Sequence, residues 1–364
     1  MGGDCERENG GSSFEAGLLL LRAMCSMNRQ PFHATLELTP LCNFRCPMCY
    51  VHIGRAEMER RGGALTAAQW LEITGQLANM GMVSVNLSGG EPFLRPDFRE
   101  IYEGICRQGI FPAIFTNGAL LDEEKIGWLR EYPPHGVKVS LYGGCNETYA
   151  TMCGDPHGFD KVSRAIDLLL EAGIPLRIST LLTEQNRRDL DLMREFCGSR
   201  RQVLLATSEL NESQRGAESD MEAARMEENI ESWTAEQVKH AIIKRKEKPF
   251  GHCGVFTHTL HITWQGHAQS CGFLNREYIQ LTPPYDMEAV WKQLQDKGDA
   301  LGYPPECKDC PHVRFCKICP GTLAGASGYA DRTTKDICKR AARIHARYEV
   351  LREQGVLSDE ADPV

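Results

Sequence analysis

The sequence has no excess of positive charge, no secretory signal and no long apolar run. Its 41 Lys and Arg face 49 Asp and Glu, for a formal net charge of -8, which argues against a nucleic-acid groove dominating the surface. Residues 1–11 are polar and include Asp4, Glu6 and Glu8, whereas a signal peptide begins basic and then turns apolar. The apolar run at 17–21 is far shorter than the roughly 20 residues of a transmembrane helix. We therefore expect no nucleic-acid partner, no membrane span and a cytoplasmic location, where thiols stay reduced.

Solenoid repeats and low-complexity tracts are also absent from the sequence. With 42% hydrophobic and 25% charged residues and a mean hydropathy of -0.36, the composition is that of an ordinary folded protein. At about 100–200 residues per domain, 364 residues allow two or three domains and exclude a small stapled scaffold. The unusual feature is a count of 16 cysteines. Their spacing has to show whether they pair with one another or bind metal.

From Pro31 onward, strand-like apolar runs alternate with amphipathic helical stretches, which is typical of a parallel α/β sheet or barrel. The predicted strands are 33–39, 83–87, 112–116, 137–142, 176–182 and 202–208. Capping boxes, in which a Thr and a Gln satisfy free backbone donors, predict helix starts at Thr66 and Thr234. Six units are too few for the usual closed eight-stranded barrel and favour an open, partial (β/α)6 barrel resembling a TIM barrel. Ligand chemistry is then expected at the carboxyl ends of the strands.

Changes in composition divide the chain into five predicted segments. They are an N-terminal extension at 1–32, the partial barrel at 33–208, a charged linker with a helix at 209–250, a cysteine-rich second domain at 251–345 and a C-terminal tail at 346–364. In the second domain, alternating apolar residues around a turn at Gln265 and Gly266 predict a β-hairpin over 257–271.

The loop after the first strand contains Cys42, Cys46 and Cys49 in a C-x3-C-x2-C array. Three thiolates at this spacing can surround one metal centre. A structural zinc site needs four ligands, and the only candidate in the same loop, His52, has the wrong spacing for a paired knuckle. A cubane iron–sulfur cluster held by three cysteines leaves one iron open for a ligand or substrate. Buried thiols and a zinc knuckle are the alternatives.

This array resembles the cluster loop of the radical S-adenosylmethionine (radical SAM) superfamily, in which the open iron of a [4Fe-4S] cluster chelates S-adenosyl-L-methionine (AdoMet). The aromatic residue often found before the third cysteine is Met48 here, and Tyr50 follows the cysteine instead. The resemblance continues in register, because the turn after the second strand reads LSGGEP like the superfamily's Gly-Gly-Glu-Pro motif. It implies AdoMet contacts from Ser88, Gly89, Gly90, Glu91, Thr116, Asn117, Ser140 and Arg177. Ordinary strand-end polar residues and helix caps are the alternative interpretation, and Arg177 faces either the barrel interior or the helices.

A second group of seven cysteines follows, too many for one site. The C-x2-C pairs within it can be interpreted as a zinc ribbon, but that leaves three cysteines unexplained. The pattern resembles the SPASM domain, the auxiliary-cluster module of radical SAM enzymes, except that Cys316 and Cys319 are separated by two residues instead of three. The resemblance implies two auxiliary [4Fe-4S] clusters, one held by Cys253, Cys271 and Cys319, the other by Cys307, Cys310, Cys316 and Cys338. The fourth position of the first is either open to substrate, filled by a neighbour such as His252, or closed by another cysteine.

Six cysteines remain unassigned: Cys5, Cys25, Cys106, Cys145, Cys153 and Cys197. Cys106 and Cys197 fall on apolar helical stretches and are expected to be buried packing residues. Cys145 and Cys153 follow the end of the fourth strand, where a thiol can donate a hydrogen atom to a substrate radical. Such thiols occur in epimerases that resemble this architecture.

The resemblance implies reductive cleavage of AdoMet to a 5′-deoxyadenosyl radical that abstracts hydrogen from a substrate. The favoured substrate is a ribosomally synthesised peptide that is crosslinked, oxidised or epimerised; a small molecule such as a tetrapyrrole or an aminoglycoside, or a sulfatase, is the alternative. The segment before His33 is expected to be too short for a fused leader-peptide recognition domain, which implies a separate leader-recognition protein or direct binding. A flavodoxin- or ferredoxin-type reductant supplies one electron. The rival class is a non-catalytic iron–sulfur electron carrier, against which the in-register 88–92 motif counts.

Overall fold

The computed structural model describes residues 12–207, 210, 215, 224–243, 254–316 and 318–357. Its strands are β1 (His33–Glu37), β2 (Ser84–Ser88), β3 (Phe111–Thr116), β4 (Gly136–Ser140), β5 (Leu176–Leu181), β6 (Leu204–Thr207), β7 (Thr259–Ile262), β8 (His267–Gln269) and β9 (Ile279–Gln280). Its helices are α1 (Ser12–Asn28), α2 (Arg55–Arg60), α3 (Ala67–Asn79), α4 (Phe98–Arg107), α5 (Glu123–Glu131), α6 (Asn146–Cys153), α7 (Gly158–Glu171), α8 (Leu190–Ser199), α9 (Ala235–Ala241), α10 (Met287–Ala300), α11 (Pro320–Ser327) and α12 (Lys335–Glu353). Short 3₁₀ turns occupy Pro92–Leu94, Arg187–Asp189, Ile230–Ser232, Pro305–Cys307 and Val313–Phe315.

All nine strands belong to one sheet in the order β6-β5-β4-β3-β2-β1-β7-β8-β9. The pairs from β6 through β1 to β7 are parallel, and only the two pairs that involve β8 are antiparallel. A cavity of about 410 Å³ at the starts of the strands is lined by residues of both β5 and β7, although four strands separate them. The sheet is therefore curled and open, and the predicted partial barrel with six β/α units is confirmed.

The two faces of the sheet differ because successive side chains of a strand point in opposite directions. Ala34 and Leu36 of β1 pair with Val85 and Leu87 of β2, and all four are fully buried against the helices. Trp70 of α3 lies in the same core. The other face of β1, β2 and β4 is polar, with Thr, Asn, Ser, Glu and Lys side chains. The inside of the curled sheet is therefore a polar space suited to a ligand.

Both predicted capping boxes are present. The Thr66 hydroxyl accepts from the Gln69 backbone N–H, and the Gln69 side chain accepts from the Thr66 N–H. Thr234 and Gln237 repeat this arrangement at the start of α9. The helix α10 has no counterpart among the elements predicted from the sequence.

The predicted hairpin is present as β7 and β8, but it does not begin an independent sheet. β7 pairs in parallel with β1, with His33 opposite Thr259 and Leu36 opposite Ile262. The sheet thus continues across the predicted boundary at residue 251. Without β7, β1 would be an edge strand with unpaired backbone N–H and C=O groups. Main-chain hydrogen bonds between β1 and β7 satisfy these groups and join the two parts of the chain.

The predicted linker and tail are also not separate segments. Ile230 and Val238 form a small core with Phe315, Ile344 and Tyr348. α12 runs from Lys335 to Glu353, across the predicted boundary at 345. The C-terminal unit therefore includes the end of the predicted linker and at least the first part of the predicted tail. Within the part of the chain described, no helix combines the length and apolarity that a membrane crossing requires.

Candidate functional site

The loop that follows β1 brings its three cysteine thiols together. Cys46 and Cys49 are linked by a main-chain hydrogen bond from the Cys49 N–H to the Cys46 carbonyl, at 3.1 Å. The Phe44 N–H points at the Cys42 sulfur at 3.4 Å, and the His52 N–H at the Cys49 sulfur at 3.3 Å. Backbone donors thus aim at two of the sulfurs, which favours their thiolate forms.

The electrostatics of the loop show that the thiols are neighbours. Protein atoms packed around the Cys42 sulfur raise the pKa of its thiol, although the residue as a whole is exposed at the open side of the loop. The Glu91 carboxylate and the thiols of Cys46 and Cys49 raise this pKa further. Because metal binding requires thiolates, cluster assembly here releases protons. Three convergent thiols with backbone donors fit an iron–sulfur cluster that keeps one iron open.

The glycine turn after β2 contacts the main chain of the cysteine loop. Gly89 has a φ of +148°, and a Cβ there would overlap the Thr39 carbonyl oxygen. A Cβ at Gly90 would overlap the Leu41 carbonyl oxygen and lie 2.6 Å from its carbon. The Gly90 and Glu91 N–H groups donate to the carbonyls of Thr39 and Leu41, at 2.7 and 2.8 Å. The two glycines therefore allow the cysteine loop, rather than a ligand, to approach closely.

Glu91 and Thr116 bind each other instead of facing open space. The Thr116 hydroxyl lies 2.8 and 2.9 Å from the two Glu91 carboxylate oxygens, and the N–H groups of Phe93 and Asn117 also donate to this carboxylate. Burial raises the pKa of Glu91 to about 7, and these hydrogen bonds oppose the rise. These hydrogen bonds tie the end of β3 to the glycine turn, and AdoMet contacts by Glu91 and Thr116 stay predictions.

Asn117 and Ser140 lie where the sequence predicts them, at the carboxyl ends of β3 and β4. The Asn117 amide donates to the Asn43 side chain at 2.8 Å and lies 3.6 Å from the Cys42 sulfur. Burial raises the pKa of Tyr142, as do the nearby Cys46 and Cys49 thiols, whereas a hydrogen bond with Ser140 lowers it. Tyr142, two residues after β4, therefore lies near the thiols of the cysteine loop and is hydrogen-bonded to Ser140. AdoMet contacts by Ser88, the 89–90 backbone, Asn117 and Ser140 stay predictions.

Arg177 lies apart from these residues. It is the second residue of β5, pairs with Lys138 and is exposed. It lines the cavity at the starts of the strands together with His33, Ser84 and Phe111. The predicted contact of Arg177 with AdoMet is therefore corrected, because its position is at the end of the sheet away from the cysteine loop.

The two predicted hydrogen-donor thiols have different surroundings. The Cys153 sulfur lies 3.8 Å from that of Cys46, and Cys153 is only 1% exposed. This burial leaves it no surface toward a substrate, so the hydrogen-donor role is not supported for Cys153. Cys145 is half-buried, with its sulfur 3.5 Å from the Thr148 hydroxyl and 3.7 Å from the Asp189 carboxylate. A donor role for Cys145 stays a prediction.

The C-terminal cysteines form two groups. Burial raises the pKa of Cys316 to about 12, and the neighbouring thiols of Cys307, Cys338 and Cys310 raise it further. The four predicted ligands of one auxiliary cluster are therefore neighbours. In the other group, Cys319 is the N-cap residue of α11, and a Cβ on Gly321 in the first turn of this helix would lie 3.7 Å from the Cys271 sulfur. Cys253 and His252 lie outside the described residues.

Among the described residues, no group of three or more His, Cys, Asp or Glu side chains is close enough to hold a single metal ion. The geometry of a cluster is different, because each thiolate binds a different iron instead of one shared ion. Neighbouring thiols around a four-iron cluster therefore do not have to meet at one point.

A buried ion pair near the cysteine loop was missed at the sequence level. The Glu37 carboxylate, at the end of β1, accepts from the Arg215 guanidinium at 2.5 Å and lies 3.3 Å from the His261 ring. Burial raises the pKa of Glu37, but the nearby Arg215 guanidinium and the hydrogen bonds with His261 and Arg215 lower it more. The pKa of Glu37 is therefore below its usual value. One signal was available, because Glu37 is a charged residue flanked by Leu36 and Leu38 in a predicted strand.

Residues 36–197 match the Radical SAM superfamily. The chain is 30% identical over 223 residues to an AdoMet-dependent heme synthase of Methanosarcina barkeri, covering 61% of this chain and 63% of that protein. It is 30% identical over 165 residues to a PqqA peptide cyclase of Granulibacter bethesdensis, covering 45% and 43%. It is 25% identical over 256 residues to the subtilosin biosynthesis protein AlbA of Bacillus subtilis, covering 68% and 56%. The chain thus spans 43 to 63% of the length of these relatives.

Two solved structures share the fold. Streptococcus suis SuiB bound to its precursor peptide SuiA superposes with a TM-score of 0.65 at 14% identity, covering 93% of this chain and 84% of SuiB. Native anSMEcpe with bound AdoMet and the Cp18Cys peptide gives a TM-score of 0.59 at 16% identity, covering 90% of this chain and 99% of that one. These likenesses show the fold, and the match at 36–197 shows that this part of the chain is a radical SAM domain.

Proposed function

We propose that this protein is a radical SAM enzyme with a C-terminal SPASM region that modifies a ribosomally synthesised peptide in the cytoplasm. The observation that carries the proposal is the convergence of the Cys42, Cys46 and Cys49 thiols beside the glycine turn and the Asn117 amide. These groups meet at the carboxyl ends of parallel strands, where α/β folds bind ligands.

When bound, the cluster and AdoMet supply a 5′-deoxyadenosyl radical that abstracts hydrogen from the substrate. The three thiols of the loop would hold the cluster. The backbone at 88–90 would accept from the AdoMet amine, and Asn117 and Ser140 would contact its remaining polar groups. Glu91, by binding Thr116 and the Asn117 N–H, keeps these groups in place.

Three features support a peptide as the substrate. Relatives that align with the chain are named for peptide cyclisation and bacteriocin biosynthesis, and the fold matches SuiB. The neighbouring thiols of Cys307, Cys310, Cys316 and Cys338 suit an auxiliary cluster of the SPASM type. We further propose a flavodoxin- or ferredoxin-type electron donor and a separate leader-recognition protein.

The test is anaerobic reconstitution with iron and sulfide, followed by AdoMet and a one-electron reductant. We expect 5′-deoxyadenosine and methionine by chromatography, and background levels only would contradict the enzyme assignment. A peptide encoded beside the gene is then added and followed by mass spectrometry. Loss of two hydrogens indicates a crosslink or an oxidation, and deuterium uptake from heavy water without another mass change indicates epimerisation.

A tetrapyrrole is the second candidate substrate. It is favoured by the 30% identity over 223 residues to an AdoMet-dependent heme synthase. This alternative would be supported if the peptide stayed unchanged in the assay above and a porphyrin precursor, added in its place, lost carboxyl groups by oxidation.

A further inference from the structure

The buried pair of Glu37 and Arg215 lies on the inner face of the sheet, beside the cysteine loop. His261 of β7 faces the Glu37 carboxylate. Gln269 of β8 is directly opposite His261 in the antiparallel ladder, so both side chains are on this same face. The Arg215 guanidinium covers the ring of Tyr50, at 5.3 Å from the ring centre, and Tyr50 immediately follows Cys49. Residues far apart in the chain thus converge at one point inside the curled sheet.

Only part of the hydrogen-bonding capacity of this pair is used. Arg215 Nη2 donates to Glu37 Oε2. Within the described part of the chain, Glu37 Oε1, Arg215 Nε and Nη1, and Gln269 Nε2 are buried and have no hydrogen-bond partner. Glu37 and Gln269 are each 1% exposed. An unsatisfied buried polar atom costs about 1–3 kcal/mol, so a group that satisfies several of them at once binds favourably.

A second Arg–carboxylate pair, between Arg200 and Asp167, shows how the hydrogen-bonding groups are used in a pair with a structural role only. On the outer helices, Arg200 donates to both oxygens of Asp167, at 2.7 and 3.0 Å, and its guanidinium covers the ring of Phe196. Both carboxylate oxygens are used there, as in an ordinary bidentate pair. The pair of Glu37 and Arg215 inside the sheet is joined by one hydrogen bond only. It leaves one carboxylate oxygen free as an acceptor, and several nitrogens free as donors.

The charges select among the groups that can satisfy these atoms. A carboxylate would accept from Arg215 but would face the free, negatively charged oxygen of Glu37. An ammonium group would meet the Arg215 guanidinium. A peptide backbone is neutral and presents N–H and C=O groups on the same side of an extended residue, and therefore matches the acceptor and the donors without adding a charge to the buried site.

We propose that Glu37, Arg215 and Gln269 form a subsite that binds the N–H and the C=O of one residue of an extended substrate backbone, which point to the same side of the chain. The substrate N–H donates to Glu37 Oε1, and its C=O accepts from the free nitrogens of Arg215 and Gln269. This proposal rests on the proposed peptide substrate and identifies where its main chain is held, next to Tyr50 and the cysteine loop. It involves positioning only, with no bond made or broken by these residues.

Binding is tested without radical chemistry, so that failure of the subsite and failure of the proposed function are distinguishable. The probe is N-acetylglycine N-methylamide, a neutral molecule with two peptide groups. Saturation-transfer NMR is recorded on the iron-loaded protein with AdoMet under anaerobic conditions. We expect transfer to this probe and little to acetate or methylammonium. Absence of transfer to the amide, or stronger transfer to acetate, overturns the subsite.

Arg215→Lys keeps the positive charge but loses the free donors of the guanidinium, so the probe concentration for half-maximal transfer should rise about fivefold to tenfold. Arg200→Lys is the matched control, with the wild-type value expected. Equal binding in wild type and Arg215→Lys overturns the proposal.

Breaking a buried ion pair can prevent folding, so a double variant is included. Glu37→Leu with Arg215→Met removes both charges at similar volume, and is expected to fold with unchanged iron content while losing probe binding. If the pair is only structural, the folded double variant keeps binding and the subsite is excluded. A crystal structure of the wild type grown with the probe is independent of folding: water alone at Glu37 Oε1 and Arg215 Nη1 likewise contradicts the proposal.

Discussion

At residue 90, a single methyl group would overlap the main chain that positions the cysteine loop. A Cβ at Gly90 would lie 2.6 Å from the Leu41 carbonyl carbon, and backbone cannot move aside as a flexible side chain can. We expect Gly90→Ala to displace the loop and to lose most of the iron of the first cluster together with AdoMet cleavage. Iron is measured by colorimetric chelation and cleavage by 5′-deoxyadenosine.

Gly127→Ala is the matched control for this substitution. Gly127 lies within α5, and a Cβ there would have no atom within 4 Å. Because Ala is a better helix former, by up to about 1 kcal/mol, this variant should keep its iron and melt at the same or a higher temperature. Equal iron and activity in the two variants would show that the contact at Gly90 is not required.

His33, at the start of β1, gives the protein a defined sensitivity to acid. Burial, with smaller contributions from Arg22, His258 and His135, lowers the pKa of His33 to about 4. Its ring nitrogen is 2.8 Å from the Ser84 hydroxyl. Between pH 6.5 and 4 the unfolded chain therefore binds a proton that the folded chain does not, and stability falls as the pH falls.

We expect His33→Asn, which keeps a polar partner for Ser84, to reduce this dependence. Between pH 7.5 and 5.5 the free energy of unfolding of the wild type should fall by about 1 kcal/mol more than that of the variant. Urea unfolding at each pH, under anaerobic conditions, measures this difference. Parallel pH profiles for the two proteins would mean that His33 does not titrate differently on folding.

At the scale of elements, α12 joins the C-terminal cysteines to the rest of their unit. Its first turn includes Cys338, and its second half contributes Tyr348 and Leu351 to the small core with Phe315. Each buried side chain of this size contributes about 1.5–3 kcal/mol. The helix therefore couples the packing of this core to the position of Cys338, a proposed ligand of an auxiliary cluster.

A chain that ends at residue 345 loses Tyr348, Leu351 and Leu357 from this core. We expect it to lose about four irons, those bound near Cys338, while the first cluster is retained. A chain that ends at 357 keeps all three side chains and should retain the full iron content. Equal iron in the two truncations would show that this core is not needed for the auxiliary cluster.

The elements that were predicted correctly are those with local signals. The capping boxes at Thr66 and Thr234 and the turn at Gly266 each involve residues within a few positions of one another. The pairing of β1 with β7 joins strands that are far apart in the chain, and no local pattern specifies it. The same holds for the packing of the linker against α12, which is why a second domain and a tail were predicted where the structure has a continuous sheet and a shared core.

The same distinction applies to the candidate site. The cysteines and the glycine turn belong to short motifs, so their meeting was predictable. Glu37 and Arg215 come together only through the fold, and Arg215 lies in a charged segment whose composition indicates a linker. The hydrogen bonds that Glu91 accepts from Thr116 and Asn117 could not be predicted from the motif either, because they depend on how β3 lies beside the glycine turn.

For the whole molecule, the cysteines divide into separate groups with separate consequences. Those after β1 are neighbours of one another, and so are the four around Cys316. Cys25 and Cys197 are instead buried on α1 and α8, and Cys106 is half-buried on α4. Removing different sets of thiols should therefore change the iron content and AdoMet cleavage independently.

Replacing Cys42, Cys46 and Cys49 with Ala should remove about four irons and all AdoMet cleavage, because this loop supplies the thiolates of the first cluster. Replacing Cys307, Cys310, Cys316 and Cys338 with Ala should also remove about four irons but leave measurable 5′-deoxyadenosine, since the AdoMet-binding residues are intact. The control, with Cys25, Cys106 and Cys197 changed to Ala, removes as many thiols as the first variant and should match the wild type in both readouts. Iron, acid-labile sulfide and 5′-deoxyadenosine are quantified on the same reconstituted samples. Cleavage retained by the first variant would refute the assignment of the loop, and iron lost from the control would show that the thiols outside the two groups also bind it.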